Sequence, residues 1–574
     1  MHRALLLLFF GTATLVWAAP SLIFHNAKIV TVDPAFSIHE AMAISDTTIA
    51  AVGSDADVLK LKGPQTQVVD LQKRMVLPGL MDSHVHPTGA SLTEFDHPLP
   101  DFETIGDVLA YIRARAKALK AGDWIELQQV FITRLREQRY PTRAELDEAA
   151  PKNPVIFRTG PDASLNTLAL EASKIDRDFK VTDGGAGFIE KDPETGEPTG
   201  ILRNCTRFVK ANSPLRKPSD GERRERLLAL LKDYSSVGLT TICDRDASVA
   251  GVALYKELLD GGELPVRVNL SMDVPYIGSL EKIQERIREI AADPLFKKRD
   301  DWLRIIGIKT FLDGGMLTGS AYMREPWGVS AMYGITDPKY RGVLFIPKER
   351  LTAMVRTTAE NGLQFTAHSV GDGAVHTLLD VYDELSRDLP LRATRPCITH
   401  ANFQSREAVE MAARLGVVLD IQPAWLFLDT RTLVKQFGYE RLAYFQPLKS
   451  LFERGVIVGG GSDHMQKIGS LRSNNPYNPF LAMATAITRR ARWYDGVLHA
   501  EQALSRQEAI RFYTINNSHL LFQEKRTGSL EAGKLADLIV LDRDLLTCPE
   551  KDIASAQVLR TYVGGKLRHE APAR

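Results

Sequence analysis

The sequence predicts an α/β protein: a (β/α)8 TIM-like barrel, a flanking β-sandwich built from both chain ends, and an inserted α+β cap subdomain. Three observations predict it. Eight apolar, strand-like runs alternate with helical stretches through the middle of the chain, as expected of parallel strands buried on both faces. Short β-branched runs separated by turn residues occur at both ends. One interval, between the first and second barrel runs, is far longer than an ordinary βα connection.

The eight runs are MVLPGLMDSHVH (75–86), LTTICDRD (239–246), VRVNLSMDV (266–274), LRIIGIKTFLDG (303–314), LQFTAHSVGD (363–372), PCITHANF (396–403), VVLDIQP (417–423) and VIVGGGSDH (456–464). At the N-terminal end, LIFHNAKIVTVD, AMAISDTTIAAVG and TQVVDLQ read as small antiparallel strands. At the C-terminal end, GSLEAGKLADLIVLD and AQVLRTYVGGKLR do the same, with Gly564-Gly565 as a hairpin turn. Residues 20–75 with 525–570 are assigned to the sandwich, and 76–90 with 219–524 to the barrel. Residues 91–218 form the cap, with helical patterns IGDVLAYIRARAKALK and TRAELDEAA, a strand PVIFRTG and a turn-rich DPETGEPTG. The charged run from Arg134 to Arg139 reads as a solvated face.

With 574 residues the chain is long enough for a large barrel with additions. Its 72 Lys plus Arg against 71 Asp plus Glu leave no global field for nucleic acid or an anionic membrane. Met1, His2 and Arg3 precede the apolar LLLLFFGTATLVW and then Ala18-Ala19, the layout of a secretory signal peptide over 1–18 cleaved after Ala18. The expected location is therefore periplasmic or secreted, free of the membrane once the leader is removed. Cys205, Cys243, Cys397 and Cys548 include no Cys-x-x-Cys, and Cys243 and Cys397 sit in apolar runs suited to buried free thiols.

His84-Val85-His86 ends the first barrel run. Residues two apart on a strand face one side, so both imidazoles can converge on one point. Lys309 on the fourth run, His368 on the fifth, His400 on the sixth and Asp463 on the eighth occupy equivalent places. Barrel closure brings such strand ends onto one face, where imidazole and carboxylate suit a divalent ion such as zinc. Lys309 lies inside an apolar run, where a lysine must lose its proton or find a partner. His464 is expected to point away from that face, and His97 to be structural. Asp162, Asn166, Arg203 and Asp313 are candidates for substrate contact. Tyr322, Arg324 and Trp327 are candidates for a loop over the site.

PGLMDSHVH, the isolated lysine, the two later histidines, GSDH and the tail GSLEAGKLADLIVLD resemble the amidohydrolase superfamily. NPVIFRTGPDASLNTLAL and GEPTGILR resemble its YtcJ-like branch, which includes N-substituted formamide deformylases. The resemblance implies that His84 and His86 bind a buried metal and that His368 and His400 bind a more exposed one. It also implies that carboxylated Lys309 bridges two zinc ions, and that Asp463 is both ligand and general base. Many members of the branch carry Gly-His where this chain has Gly160-Pro161, and Leu-Arg-Glu where it has Leu202-Arg203-Asn204. The substrate is therefore not carried over.

The chemistry so implied is hydrolysis of a non-peptide C–N bond in a small molecule: a linear amide, an N-substituted formamide or a cyclic amide. The alternatives are a metal-dependent lactonase or phosphoesterase on the same barrel, and a non-catalytic exported binding protein. A homodimer is compatible with the sequence.

Overall fold

In the computed structural model, which describes residues 19–572, the eight middle runs form one parallel sheet whose strands neighbour one another in chain order. The signal peptide expected over 1–18 lies outside the described residues. The strands are β1 (Leu80–Val85), β2 (Leu239–Ala247), β3 (Arg267–Asp273), β4 (Leu303–Phe311), β5 (Gln364–Ser369), β6 (Cys397–His400), β7 (Val418–Ile421) and β8 (Val458–Gly460). β1, β6, β7 and β8 are buried at every residue, because helices cover the outside while side chains fill the inside.

The ring closes just beyond β8. Val85 and His464 form a parallel bridge, Asp463 N donates to His84 O at 2.8 Å, and His86 N donates to His464 O at 2.8 Å. The segment carrying Asp463 is thus stitched to the strand carrying the two histidines. Barrel helices start where serine oxygens accept orphan backbone N–H groups: Ser219, Ser248, Ser279 and Ser405 each cap one.

MVLPGLMDSHVH is two strands rather than one. Met75–Pro78 joins the flanking sheet, parallel to Lys28–Val30 and antiparallel to Leu538–Leu541, and β1 begins at Leu80. Gly79 marks the crossing, where a Cβ would lie 2.1 Å from Thr240 Oγ1, so only glycine lets the chain pass this close. Nor are the N-terminal strands all antiparallel. Leu22–His25 pairs parallel with Gln67–Asp70, because the chain returns to its sheet by crossovers rather than tight hairpins. The four-stranded and six-stranded sheets bury Leu22, Phe24, Ile44, Leu538 and Val540 in one cluster. Gly564 and Gly565, both at positive φ, make the hairpin between Val558–Val563 and Lys566–Glu570.

Between β1 and β2 lies a five-stranded sheet, in order Phe188–Lys191, Pro198–Arg203, Asp162–Leu165, Val155–Thr159 and Ile125–Gln128. Its Phe157 packs with Ile112 and Leu146 of the helices Ile105–Ala118 and Arg143–Ala149, and with Met316, Leu317 and Tyr333 of the long loop after β4. That apolar contact seats the inserted segment over the C-terminal ends of the strands.

All four cysteines are free, and Cys243 and Cys397 are buried. Among the described residues, no helix is long and apolar enough to cross a membrane.

Candidate metal centre

Three donor atoms meet where the ring closes. His84 Nε2 lies 3.2 Å from His86 Nε2 and 3.3 Å from Asp463 Oδ1, and His86 Nε2 lies 3.1 Å from the same Oδ1. Ligands about 2.0–2.2 Å from one tetrahedral ion stand roughly 3.3–3.5 Å apart, so this triangle is near the size such an ion needs. His400 joins it: one ligand atom each from His84, His400 and Asp463 lies within 4.8 Å of the others.

The tautomers suit metal binding. His84 Nδ1 faces Asp420 Oδ1 at 3.3 Å, and His400 Nδ1 faces Gln422 Oε1 at 2.7 Å. Each ring thereby donates through Nδ1 and keeps the Nε2 lone pair free. Gln422 Nε2 donates in turn to Asp420 Oδ1 at 3.0 Å, so one carboxylate on β7 steadies both imidazoles. Beneath it, Arg245 lies 3.3 Å from Asp420 Oδ2 and donates to Ser271, Gln364 and Thr366, tying four strands into a buried polar floor.

Burial holds the imidazoles of His84 and His400 well below their ordinary range, and pushes His368 down to about 3. For His86 burial also opposes the charge, but the Asp463 carboxylate bonded to it wins and the net shift is upward. Burial raises Asp463 itself.

Lys309 Nζ is fully buried and has no hydrogen-bond partner, resting 4.2 Å from the centre of the Phe311 ring. Burial lowers its pKa. An orphaned amine on the wall of a histidine cluster fits conversion to a metal-bridging carbamate. His368 is beside it in the cavity, its ring centre 4.5 Å from that of His400, and its Nε2 faces Gly314 O at 3.3 Å.

These groups line a cavity of about 730 Å³ roofed by the inserted segment through Gln128, Arg158, Gly160, Pro161 and Asn204. Of the residues expected to touch substrate, Asp313 lines it, with its carboxylate held by the N–H groups of Tyr322, Val370 and Gly371 at 2.9 Å. The other three are not on its wall. Asp162 accepts from Asn204 N and Ser320 Oγ, and Arg203 donates to Thr318 O and Tyr333 O, so both pin the cap to the loop after β4. Asn166 caps the helix Thr167–Ala172 and bonds Val155 N.

Tyr322, Arg324 and Trp327 do not line the cavity either. Trp327 is buried with Nε1 on Ala321 O, Arg324 pairs with Glu407, and Leu317 and Thr318 of the same loop take the wall instead. His464 is turned away, bonded to Tyr234 and to the carbonyl of Gln466, and His97 is held between Asp96 and Tyr111.

Arg134 is not on a solvated face. It is buried, paired with Asp429 at 3.0 Å, and donates to Asn475 Oδ1 at 2.9 Å. Asn475 Nδ2 donates to Asp463 O at 2.6 Å and lies 3.2 Å from Asp463 Oδ2, so the cap reaches the metal centre through one amide. Asp420, Gln422, Arg245, Asn475 and Trp425 are the site residues that the sequence reading missed.

The pattern of the amidohydrolase family matches residues 67–569, nearly the whole chain. The chain belongs to the amidohydrolase family. This amidohydrolase is 29% identical over 565 residues to an N-substituted formamide deformylase of Arthrobacter pascens, covering 95% of this chain and 97% of the relative. It is 26% identical over 560 residues to YtcJ of Bacillus subtilis, covering 96% and 99%. The crystal structure of an uncharacterized metal-dependent hydrolase from Pyrococcus furiosus superposes with a TM-score of 0.64 at 21% identity, over 92% of this chain and 100% of that one, which shows a shared fold. Its membership of the amidohydrolase family makes the protein a metal-dependent hydrolase.

Proposed function

We propose that the protein hydrolyses a non-peptide C–N bond of a small molecule, in a linear amide, an N-substituted formamide or a cyclic amide. The single observation that carries this reading is the triangle of His84 Nε2, His86 Nε2 and Asp463 Oδ1 within 3.1–3.3 Å of one another. The formamide deformylase likeness along the full chain supports the choice of bond.

His84, His86 and Asp463 would hold one metal ion and His368 and His400 a second, with Lys309 bridging as a carbamate; zinc suits this nitrogen and oxygen donor set. When bound, such a metal polarises the substrate carbonyl and brings the pKa of a water to about 7.

Asp463 takes a proton from the attacking water and delivers it to the departing nitrogen, because an amide anion leaves very poorly unless protonated. A positioned acid/base of this kind contributes about 10²- to 10⁴-fold. Asn475 fixes the direction of that carboxylate. Phe311, Trp425 and Leu317 give the cavity apolar walls for the non-reacting part of the substrate.

Export also belongs to this reading, supported by the apolar leader and small residues at Ala18-Ala19; N-terminal sequencing of the mature protein should begin at Ala19. The activity is tested by assaying N-formyl amines, cyclic amides, lactones and a phosphotriester side by side. Turnover of a C–N substrate above the others is expected. Preference for the lactone or the phosphotriester would overturn it.

A further inference from the structure

The cavity wall has four side chains with a buried polar atom left without a hydrogen-bond partner: Lys309 Nζ, Trp425 Nε1, Asp246 Oδ1 and Arg158 Nε. Lys309 is accounted for by the metal centre. Arg158 is not accounted for by anything in the fold. It sits at the end of the cap strand Val155–Thr159, and among the described residues its guanidinium has neither an ion pair nor a hydrogen bond.

The register explains why no acid reaches it. Arg158 is paired with Gln128 on one side and Ala163 on the other, both neutral, while the nearby Asp162 is opposite Thr159 and is spent on Asn204 and Ser320. The other arginine on the wall, Arg207, is neutralised by Asp183 at 2.6 Å. Of the cavity carboxylates, Asp313 is held by three backbone N–H groups, Asp244 by Tyr255 OH at 2.9 Å and Asp463 by His86 Nε2 at 3.1 Å, while Asp246 keeps one oxygen unpartnered and faces Asp273 and Lys309.

A guanidinium stays charged at any working pH, and this half-buried one faces the cavity with no counter-charge paired to it among the described residues. Such a group is matched by a ligand that brings the missing carboxylate in its planar, two-oxygen form. Two residues on, Gly160 has positive φ and a Cβ built there would meet nothing within 4 Å, and both residues line the cavity.

We infer that Arg158 is a specificity-determining residue that binds a carboxylate on the substrate, so that the preferred substrates are acidic amides or formamides rather than neutral ones. The inference rests on the proposed C–N hydrolase activity for its turnover arm, and stands apart from it in its binding arm.

The test uses the metal-loaded enzyme with N-formylphenylalanine and N-formyl-2-phenylethylamine, which differ by the carboxylate alone. The wild type should favour the acid at least 10-fold in kcat/KM. Arg158→Met should lose about 10- to 100-fold on the acid, mainly in KM, and little on the neutral compound. Arg158→Lys should recover part of the loss. The melting temperature of Arg158→Met should not fall, since no internal bond is removed; a structural role would lower it.

Calorimetric titration of both compounds into both proteins is the second arm. Tighter binding of the acid, lost in Arg158→Met, supports the anion site even where neither compound is turned over, and that outcome would count against the formamide reading alone. Equal handling of the two compounds by the wild type, or an equal effect of Arg158→Met on both, would overturn the inference.

Discussion

Asp420 Oδ1 stands 3.3 Å from Nδ1 of His84, and this one carboxylate also orients His400 through Gln422. The buried acid on β7 therefore sets the tautomer of two rings of the candidate metal centre from behind. Asp420→Asn should weaken metal affinity about 10- to 100-fold. It should also lower the melting temperature, because Arg245 loses its buried counter-charge. Metal-buffered titration and thermal unfolding check both, and unchanged affinity would show that the ring orientation is set elsewhere.

Lys309 is the reverse case, a buried amine with no hydrogen-bond partner among the described residues. Lys309→Met, of similar length, should leave the metal-free protein as stable as the wild type or more so, while the metal bound per chain falls. Thermal unfolding after chelation and elemental analysis before it give the two readings. Intact-mass spectrometry of the gently handled wild type should find one added carbon dioxide.

Asn475 holds Asp463 by its main-chain oxygen and lies against its carboxylate. Asn475→Ala should reduce kcat about 10-fold or more with metal content largely retained, as expected when a proton-transfer group loses its orientation. Arg134→Met, one step further out, leaves Asp429 buried and unpaired and should cost about 3–5 kcal/mol of stability. Denaturant titration measures the second effect.

Glu145 provides a pH dependence confined to the cap. Its bond to Arg139, followed by backbone N–H of Thr142, holds its carboxyl down at about 2 against an ordinary 4.5. Because the folded value is depressed, the ionised group stabilises the fold above pH 4.5, and that contribution is lost as pH falls toward 2. Glu145 is partly exposed, so the whole effect is about 1 kcal/mol or less. The gap in melting temperature between wild type and Glu145→Gln should be full at pH 6 and shrink on acidification below about 4.5.

The barrel and the polar cluster at its strand ends were legible because both follow from chain chemistry. Fully buried parallel strands must be apolar, so the few polar residues at their C-terminal ends stand out: His84, His86, Lys309, His368, His400 and Asp463. The supporting residues were harder to read. Asp420 and Gln422 are two apart in VVLDIQP, and two polar residues on one face of an otherwise apolar barrel strand signal the barrel interior, a cue the sequence did contain. Asn475 and Arg134 follow no period; they meet Asp463 through a loop and an inserted segment, which only the tertiary fold brings together. Asp162, Asn166 and Arg203 misled for a related reason. Polar residues in a cap serve its internal ties as readily as a substrate, and nothing local to the chain distinguishes the two uses.

The end of β1, the segment after β8 and the histidines of β5 and β6 are expected to hold catalytic metal. Anomalous diffraction at the zinc edge, on crystals of protein loaded with zinc and carbon dioxide, tests it most directly. The expected result is a peak about 2.0–2.2 Å from His84 Nε2, His86 Nε2 and Asp463 Oδ1, with a second beside His368, His400 and Lys309. Zinc bound elsewhere, with these side chains empty in well-ordered density, would contradict it.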